Sequence, residues 1–354
     1  MTAHIHGGRV FEAARELSLP WEDILDFSAN INPLGQPPGL KERLFSQFAA
    51  TVHYPDMSAE GFTQAAAEKS GLPLDCVFPG AGSTPHIRML ARFFSPKKPL
   101  ILAPAFAEYA ESLVARGLRP DYVYAREKDG FLPVLAILDE IRKREPDLIF
   151  LANPANPTGR LVPEETLQGL LSYGTEKRIP VIVDEAFIDF TFRKSMEGLV
   201  TKHPHLVVLR SLTKVFAVPG LRLAYLAASP GLVSEFKSRM EPWPINFMAL
   251  EAGIYSLGKE DFIKETPLKT REYRDALADV LKTIGDLTPS DANFVLVRTE
   301  PSRGRRIRRA LYQKGILVRD ASNFQGLGEG YLRFAVRPPK ETEVLKKALR
   351  EIDA

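Results

Sequence analysis

The segment Ser211-Leu-Thr-Lys-Val-Phe-Ala-Val-Pro-Gly-Leu-Arg222 decides how the rest of this sequence is interpreted. Lys214 can form a Schiff base with the aldehyde of a cofactor. Ser211 and Thr213 can donate hydrogen bonds to a phosphate, and Arg222 can hold the same phosphate with its planar set of donors. These residue types suit pyridoxal phosphate, although the segment alone is also compatible with an exposed loop lysine.

Two further segments each place a polar residue directly after a short apolar run. Asn153-Pro-Ala-Asn-Pro-Thr-Gly159 follows Leu148–Ala152, and Pro180-Val-Ile-Val-Asp-Glu-Ala-Phe187 ends its β-branched run in an acid. Buried strands that end in this way are typical of the carboxyl edge of a parallel sheet, where α/β proteins bind ligands. Asn156 can donate to a cofactor oxygen, and Asp184 can pair with a pyridine nitrogen. An ordinary proline turn and a helix-capping aspartate are the alternatives.

A fourth segment, Phe78-Pro-Gly-Ala-Gly-Ser-Thr-Pro85, precedes an apolar stretch with helical spacing. Small residues at the start of a helix leave backbone N–H groups free to hold a phosphate, and the helix dipole favours the negative charge. Ser83 and Thr84 add two hydroxyl donors. By itself, a glycine-rich turn of this kind has no specific function.

The four segments, in this order, resemble those of the fold-type I pyridoxal phosphate enzymes of the aspartate aminotransferase superfamily. The resemblance implies that Lys214 bonds the cofactor and shuttles protons, that Asp184 contacts the ring nitrogen, and that Asn156 contacts the phenolic oxygen. It also implies a set of phosphate-binding residues: Gly82, Ser83, Thr84, Ser211, Thr213 and Arg222.

The aromatic positions follow this family in part. Phe106 matches the residue that stacks on the cofactor ring, with Tyr109 as a second candidate and a purely structural Phe106 as the alternative. Phe187 departs from the family, which often has a tyrosine at this position to share the phenolic oxygen with the asparagine. Asn156 is then expected to act alone on that oxygen.

The N-terminal region bears on the substrate. His6-Gly-Gly8 and Asp26-Phe-Ser-Ala-Asn-Ile-Asn-Pro-Leu-Gly35 resemble the threonine-phosphate decarboxylase family, which is related to the histidinol-phosphate aminotransferases. The implied reaction is decarboxylation of L-threonine O-3-phosphate to (R)-1-amino-2-propanol O-2-phosphate and CO2, in cobalamin biosynthesis. The alternative is amino transfer from histidinol phosphate to 2-oxoglutarate. A regulator that has lost catalysis is a third, weaker possibility.

Two arginines near the C-terminus are candidates for binding the substrate. In this superfamily an arginine on the last strands holds the substrate carboxylate, and Arg333 matches it, while Arg319 lies where members with phosphate substrates have a second arginine. His6, Asn32 and Asn156 complete the expected substrate site. An exposed charge at a strand end is the alternative for each arginine.

Tyr54, in His53-Tyr54-Pro-Asp56, matches a tyrosine that related enzymes contribute to the cofactor phosphate of the other subunit. The resemblance therefore implies a homodimer with shared active sites. A tyrosine that only begins a turn is the alternative interpretation.

Composition places limits on the partners and the compartment. The 354 residues contain 47 basic and 44 acidic side chains, so no nucleic acid is expected as a partner. Apolar stretches are too short for a membrane span, and the single Cys76 fits a reducing compartment, so we expect a cytoplasmic protein with no metal site. The arginines at 303, 305, 306, 308 and 309 are expected on the solvated face of an amphipathic helix.

Alternation of apolar runs and helical stretches predicts an α/β fold with a mostly parallel sheet. We expect a large cofactor-binding domain over residues 45–245. A smaller α+β domain would combine residues 1–44 and 246–354, with one long helical region at about 246–284 and strands at 293–298, 315–319 and 331–336.

Overall fold

The computed structural model describes residues 7–353, with side chains to residue 352, as an α/β fold with two sheets. The strands are β1 (Leu25–Phe27), β2 (Val77–Gly80), β3 (Pro99–Ala103), β4 (Asp121–Tyr124), β5 (Leu148–Ala152), β6 (Val181–Asp184), β7 (Leu206–Ser211), β8 (Ala224–Ala227), β9 (Asp286–Thr288), β10 (Phe294–Arg298), β11 (Ile316–Asp320) and β12 (Tyr331–Ala335). The α-helices are α1 (Val10–Leu17), α2 (Leu40–Gln47), α3 (Glu60–Ser70), α4 (Ser83–Phe94), α5 (Ala107–Val114), α6 (Ile137–Arg144), α7 (Glu164–Lys177), α8 (Leu212–Val215), α9 (Pro230–Lys237), α10 (Phe247–Leu257), α11 (Glu260–Leu281), α12 (Pro301–Gln313) and α13 (Pro339–Asp353).

The larger sheet has the strand order β2-β8-β7-β6-β5-β3-β4. Strands β3 to β7 pair in parallel, and β8 runs antiparallel to its neighbours β2 and β7. Every residue of β5, β6 and β7 is buried, as expected for parallel strands that are covered on both faces. The prediction of an α/β fold with a mostly parallel sheet is confirmed.

The smaller sheet has the order β1-β11-β12-β10-β9 and joins the two ends of the chain. Strand β1 pairs in parallel with β11, whereas β11, β12, β10 and β9 are antiparallel neighbours. Its apolar face packs against α11, α12 and α13 through buried side chains such as Phe27, Ile307 and Leu345. The division of the chain near residues 45 and 245 stays a prediction.

The hydrophobic pattern of the sequence did not predict several strands and a helix boundary. Strand β2 contains Pro79 and Gly80, which are tolerated because β2 is an edge strand. Strand β4 begins at the exposed Asp121, and only Val123 of its four residues is buried, so it lacks the continuous burial of the central strands. The single helical region expected at 246–284 is two helices, α10 and α11, which separate at Gly258 and Lys259.

The arginine-rich segment forms α12 with the expected amphipathic pattern. Ile307 and Leu311 are fully buried in the core of the smaller sheet, while Arg305, Arg308 and Arg309 are exposed. Within residues 7–353, no helix combines the length and the apolar character that spanning a membrane requires.

A buried ionic cluster lies behind the tip of β6. Arg210 of β7 contacts Glu185 at 3.3 Å, Asp189 at 2.8 Å and Glu197 at 3.6 Å, and the Tyr225 hydroxyl donates to Glu197 at 2.8 Å. Burial raises the pKa of Glu185 to about 7, against the opposing effect of Arg210. Because Glu185 directly follows Asp184, the cluster fixes the end of the strand that carries the candidate catalytic acid.

We expect Arg210→Met to lower the free energy of unfolding by about 3–5 kcal/mol, because it would leave buried carboxylates without their cation. Urea denaturation at constant pH measures this loss. Arg298→Met is the matched control, since Arg298 also contacts two carboxylates, Glu127 and Asp286, but on the surface. Equal midpoint shifts for the two variants would contradict a special contribution of the buried cluster.

Candidate active site

A cavity of about 350 Å³ opens at the carboxyl edge of the parallel strands, between the two sheets. The turn after β5 contributes Asn156, the end of β6 contributes Asp184, and α8, directly after β7, contributes Lys214. Arg319 of β11 and Arg333 of β12, from the smaller sheet, also line the cavity. Parallel strands present their carboxyl ends at one edge, and this brings together residues that are distant in sequence.

Asp184 is held in one orientation by two hydrogen bonds. Its Oδ2 accepts from the Tyr109 hydroxyl at 2.7 Å, and its Oδ1 accepts from the backbone N–H of Ala186 at 2.9 Å. Burial raises the pKa of Asp184, while the two hydrogen bonds and the charge of Lys214 act in the opposite direction. A cation placed against this carboxylate would offset the cost of its burial.

The aromatic candidates separate into two roles. Phe106, at the start of α5, lines the cavity, and its ring lies edge-to-face with that of Tyr109 at 5.9 Å between centroids. Tyr109 packs in parallel with Phe150 at 5.3 Å between ring centroids, and its hydroxyl is committed to Asp184. Phe187 also lines the cavity and offers no hydroxyl beside Asn156.

Lys214 is partly buried and lines the cavity from the short helix α8. Burial lowers its pKa to about 8, with further lowering by the charges of Arg222 and Arg333. Asp184 and Asp26 oppose this shift. A larger fraction of Lys214 is therefore a neutral, nucleophilic amine near neutral pH than for an exposed lysine.

Donors for an anion converge at the beginning of α4. Ser83, Thr84, Ser211, Thr213 and Arg222 all line the cavity, and the Ser211 and Thr213 hydroxyls are 2.9 Å apart. The Ser83 hydroxyl is buried and has no hydrogen-bond partner among the described residues. A phosphate oxygen would satisfy this hydroxyl and the free N–H groups of the helix end.

Gly82 permits the close approach of Arg222 to this helix end. Its φ is +95°, which favours glycine, and a Cβ at this position would lie 2.7 Å from Nη2 of Arg222. Gly82 therefore shapes the anion site through the absence of a side chain.

Arg333 fixes the amide of Asn156. Its Nη1 donates to Oδ1 of Asn156, and its Nη2 donates to the carbonyl of Ser28 at 2.8 Å. Because a guanidinium only donates, Asn156 presents its carbonyl to Arg333, and its amide nitrogen is left to donate into the cavity. Nε of Arg333 is buried without a partner among the described residues, and burial followed by the charge of Arg319 lowers its pKa to about 9.

Arg319 lies directly opposite Arg333 in the pairing of β11 with β12. Its Nη2 donates to Oδ1 of Asn323 at 2.8 Å, and its guanidinium lies 5.1 Å from the ring centre of Phe324. Burial lowers the pKa of Arg319. Two buried guanidinium groups thus face one cavity with no carboxylate hydrogen-bonded to either of them among residues 7–353.

Two expected site residues, Asn32 and Tyr54, do not line this cavity. Asn32 is buried beside α8, where its amide donates to Val215 and Thr266 and its oxygen accepts from Leu34. Tyr54 is exposed and stacks on Trp243 at 4.6 Å between ring centroids. His6 lies outside the described residues.

Asn30 occupies the place that the sequence suggested for Asn32. It lines the cavity, is buried, and its Oδ1 has no partner among the described residues. The backbone N–H of Ile31 bonds the carbonyl of Ala29, and this tight turn breaks the alternation that would place both asparagines on one side. Ser28, Asn323 and Phe324 are other cavity residues that the sequence did not indicate.

We expect the modification of Lys214 by acetic anhydride, in protein without cofactor, to rise with a midpoint near pH 8 because only the neutral amine reacts. Mass spectrometry of the peptides measures the rate at each pH. Exposed Lys264, whose pKa is raised by its hydrogen bond to Glu260, is the control and should react with a midpoint at higher pH. A shared profile would contradict the lowered pKa of Lys214.

Two enzymes are similar to this chain over nearly its full length. The chain is 36% identical to threonine-phosphate decarboxylase of Salmonella typhimurium over 98% of its own length and 96% of the relative's. It is 30% identical to histidinol-phosphate aminotransferase of Methanosarcina mazei, over 98% of this chain and 92% of the relative.

A solved structure and a family match both bear on the fold of this chain. The histidinol-phosphate aminotransferase structure from Clostridium acetobutylicum matches with a TM-score of 0.84 at 28% identity, over 93% of this chain and 99% of that one. The expectation of a fold-type I, aspartate aminotransferase-like fold is therefore confirmed. The model of "aminotransferase class I and II" matches residues 22–352, and the chain belongs to that family.

Proposed function

We propose that this protein is a pyridoxal phosphate-dependent decarboxylase of L-threonine O-3-phosphate, which yields (R)-1-amino-2-propanol O-2-phosphate and CO2 in cobalamin biosynthesis. The observation that carries the proposal is the 36% identity to threonine-phosphate decarboxylase over 98% of the chain. The cavity supports it, because paired arginines face a lysine and a carboxylate across one space.

The cavity residues fit pyridoxal phosphate. The unpartnered Ser83 hydroxyl, the close approach of Arg222 at Gly82, and the start of α4 together suit a phosphate. The larger group that we propose to hold it is Gly82, Ser83, Thr84, Ser211, Thr213 and Arg222. Phe106 would cover the ring and Asn156 would donate to its phenolic oxygen. When bound, this cofactor supplies an electron sink for the carbon that loses CO2.

Asp184 and Lys214 have complementary tasks in the proposal. Asp184, kept in place by Tyr109 and Ala186, offers a buried negative charge that stabilises a protonated ring nitrogen. Lys214 anchors the cofactor and delivers the proton to the carbon that has lost CO2. Its pKa of about 8 lets it accept and donate protons near neutral pH.

We propose that Arg333 and Arg319 bind the carboxylate and the phosphate of the substrate. Both guanidinium groups are buried, and the charge of Arg319 adds to the lowering of the Arg333 pKa. Two anionic groups bound beside them would offset the cost of burying these charges. Asn30 is the asparagine of the Ser28–Asn32 stretch that faces the substrate, whereas Asn32 supports α8. With the carboxylate and the phosphate of the substrate held in this way, the two arginines would set how the bond between Cα and the carboxylate is oriented relative to the cofactor ring.

Amino transfer from histidinol phosphate is the second candidate function. The 30% identity to histidinol-phosphate aminotransferase of Methanosarcina mazei favours it. The same lysine, aspartate and phosphate site would serve both reactions. The two functions differ in one requirement, since the transferase needs 2-oxoglutarate as amino acceptor and the decarboxylase does not.

We also propose a homodimer in the cytoplasm with shared active sites. Tyr54 and Trp243 form an exposed aromatic pair, and the neighbouring segment exposes Phe45, Phe48 and Val52. Exposed apolar side chains at this density are typical of a protein interface. A second copy would bury this surface and bring Tyr54 to the cofactor phosphate of its partner.

We expect purified protein with pyridoxal phosphate and O-phospho-L-threonine to release CO2 and the amine in equal amounts without a keto acid. A coupled CO2 assay and chromatography of the amine measure the two products. No CO2, together with glutamate formed from histidinol phosphate and 2-oxoglutarate, would replace the proposed function with the aminotransferase. As a control, Lys214→Ala should lose both CO2 release and the visible absorbance of the lysine-bound cofactor, whereas the exposed-site variant Lys264→Ala should keep both.

Gly82→Ala is expected to weaken cofactor binding about tenfold or more, or about 1.4 kcal/mol. The added Cβ meets Arg222, and φ at this position is +95°. Equilibrium dialysis with pyridoxal phosphate measures the affinity without reference to activity. Gly198→Ala is the matched control, because nothing lies within 4 Å of a Cβ there. Unchanged affinity in Gly82→Ala would place the phosphate elsewhere.

A further inference from the structure

A second cavity, of about 800 Å³, adjoins the candidate active site. The two cavities share four lining residues, Gly7, Ser28, Arg319 and Asn323. Residues of α1 and α12 line the second cavity. Its position makes it an approach to the inner cavity, and we call it the vestibule.

One face of α12 forms a wall of the vestibule. Arg305, Arg308, Arg309 and Tyr312 all line it, at spacings that place them on one side of a helix. The opposite side of α12 is fixed, because Ile307 and Leu311 are fully buried in the core of the smaller sheet. The direction in which the arginines point is therefore set by packing.

The charges in the vestibule are unequal. Its lining includes Arg9, Arg305, Arg308, Arg309 and Arg319 against Glu12, Glu16 and Asp320.

Several of these charges have partners. Arg305 pairs with Glu329 at 2.7 Å, Arg308 lies 3.7 Å from Asp320, and the Tyr312 hydroxyl donates to Glu16. Arg309 has no carboxylate within ion-pair distance among residues 7–353 and is exposed. The vestibule consequently keeps a positive excess to which Arg309 contributes directly.

The arginines continue inward with increasing burial. The side chain of Arg308 is 45% exposed, whereas Arg319 is 7% exposed and Arg333 is 5% exposed. The charge of Arg308 contributes to lowering the pKa of Arg319 after burial, and Arg319 in turn lowers that of Arg333. Each arginine is thus close enough to influence the next, and the row leads from solvent to the inner cavity.

We propose that the vestibule captures dianionic phosphate monoesters and guides them past Arg319 into the inner cavity, with Arg309 as a capture residue that takes no part in the chemistry. The identity of the substrate rests on the proposed function. A cleft in which one sign of charge predominates can raise association rates, up to about 10- to 1,000-fold where that sign lines the whole cleft, and salt screens the effect over about 8–10 Å. A single exposed arginine accounts for a small part of that range.

The test compares two charge reversals on the same helix. Arg309→Glu alters the vestibule, whereas Arg306→Glu makes the same change in net charge at an exposed position that does not line it. Stopped-flow absorbance of the holoenzyme, mixed with O-phospho-L-threonine, gives the second-order association rate constant at several salt concentrations.

We expect Arg309→Glu to lower the association rate constant about five- to tenfold at low ionic strength and to flatten its dependence on salt. Arg306→Glu should stay within about twofold of the unsubstituted protein, and kcat should be the same in all three. An equal decrease of the association rate constant in the two variants, or a rate constant that does not depend on salt, would overturn the proposal that the vestibule captures the substrate.

A second measurement separates this proposal from the proposed function. If O-phospho-L-threonine is neither bound nor turned over, the proposed function has failed, and calorimetric titration of the holoenzyme with inorganic phosphate tests the vestibule alone. Weaker phosphate binding in Arg309→Glu than in Arg306→Glu supports it. Identical binding, or the absence of binding to the unsubstituted protein, overturns it.

Discussion

A buried guanidinium, that of Arg333, connects the parts of the chain on which this cavity depends. From β12 in the smaller sheet it bonds Asn156, in the turn after β5 of the larger sheet, and the carbonyl of Ser28 near the N-terminus. Three segments separated by more than 100 residues therefore meet at one side chain. Hydrogen bonds to a buried charge are among the stronger polar interactions in proteins, so this contact orients the two sheets and the asparagine together.

The cavity also carries an excess of positive charge, which limits what it can bind. Lys214, Arg222, Arg319 and Arg333 all line it. Burial, with repulsion from neighbouring arginines, lowers the pKa of Lys214 to about 8 and of Arg333 to about 9. Such an arrangement is costly unless anions bind between the cations. A phosphorylated cofactor and a substrate with carboxylate and phosphate would supply them, and the same physical chemistry is the reason why we expect Lys214 to be reactive.

The packing of the N-terminal segment explains its two glycines. A Cβ on Gly7 would lie 2.2 Å from the Ser28 carbonyl, and Gly8 has a φ of +82° while its N–H donates to the Ser28 hydroxyl at 2.8 Å. Because the close atom at Gly7 belongs to backbone, it cannot move aside as a flexible side chain would. The segment is thus in contact with the same carbonyl that holds Arg333, and both cavities share Gly7 as a lining residue.

The sequence by itself determined the α/β class and predicted the residues at the centre of the candidate site, whereas only the tertiary structure decided which polar neighbours they have. Asn156, Asp184 and Lys214 were predictable because each follows a buried strand, and parallel strands must present their ends at one edge. The choice of Asn30 over Asn32 depends on a tight turn, and the bond from Tyr109 to Asp184 joins residues 75 positions apart. Local patterns report period and polarity, but not which distant side chains meet, because those contacts are set by the packing of whole elements.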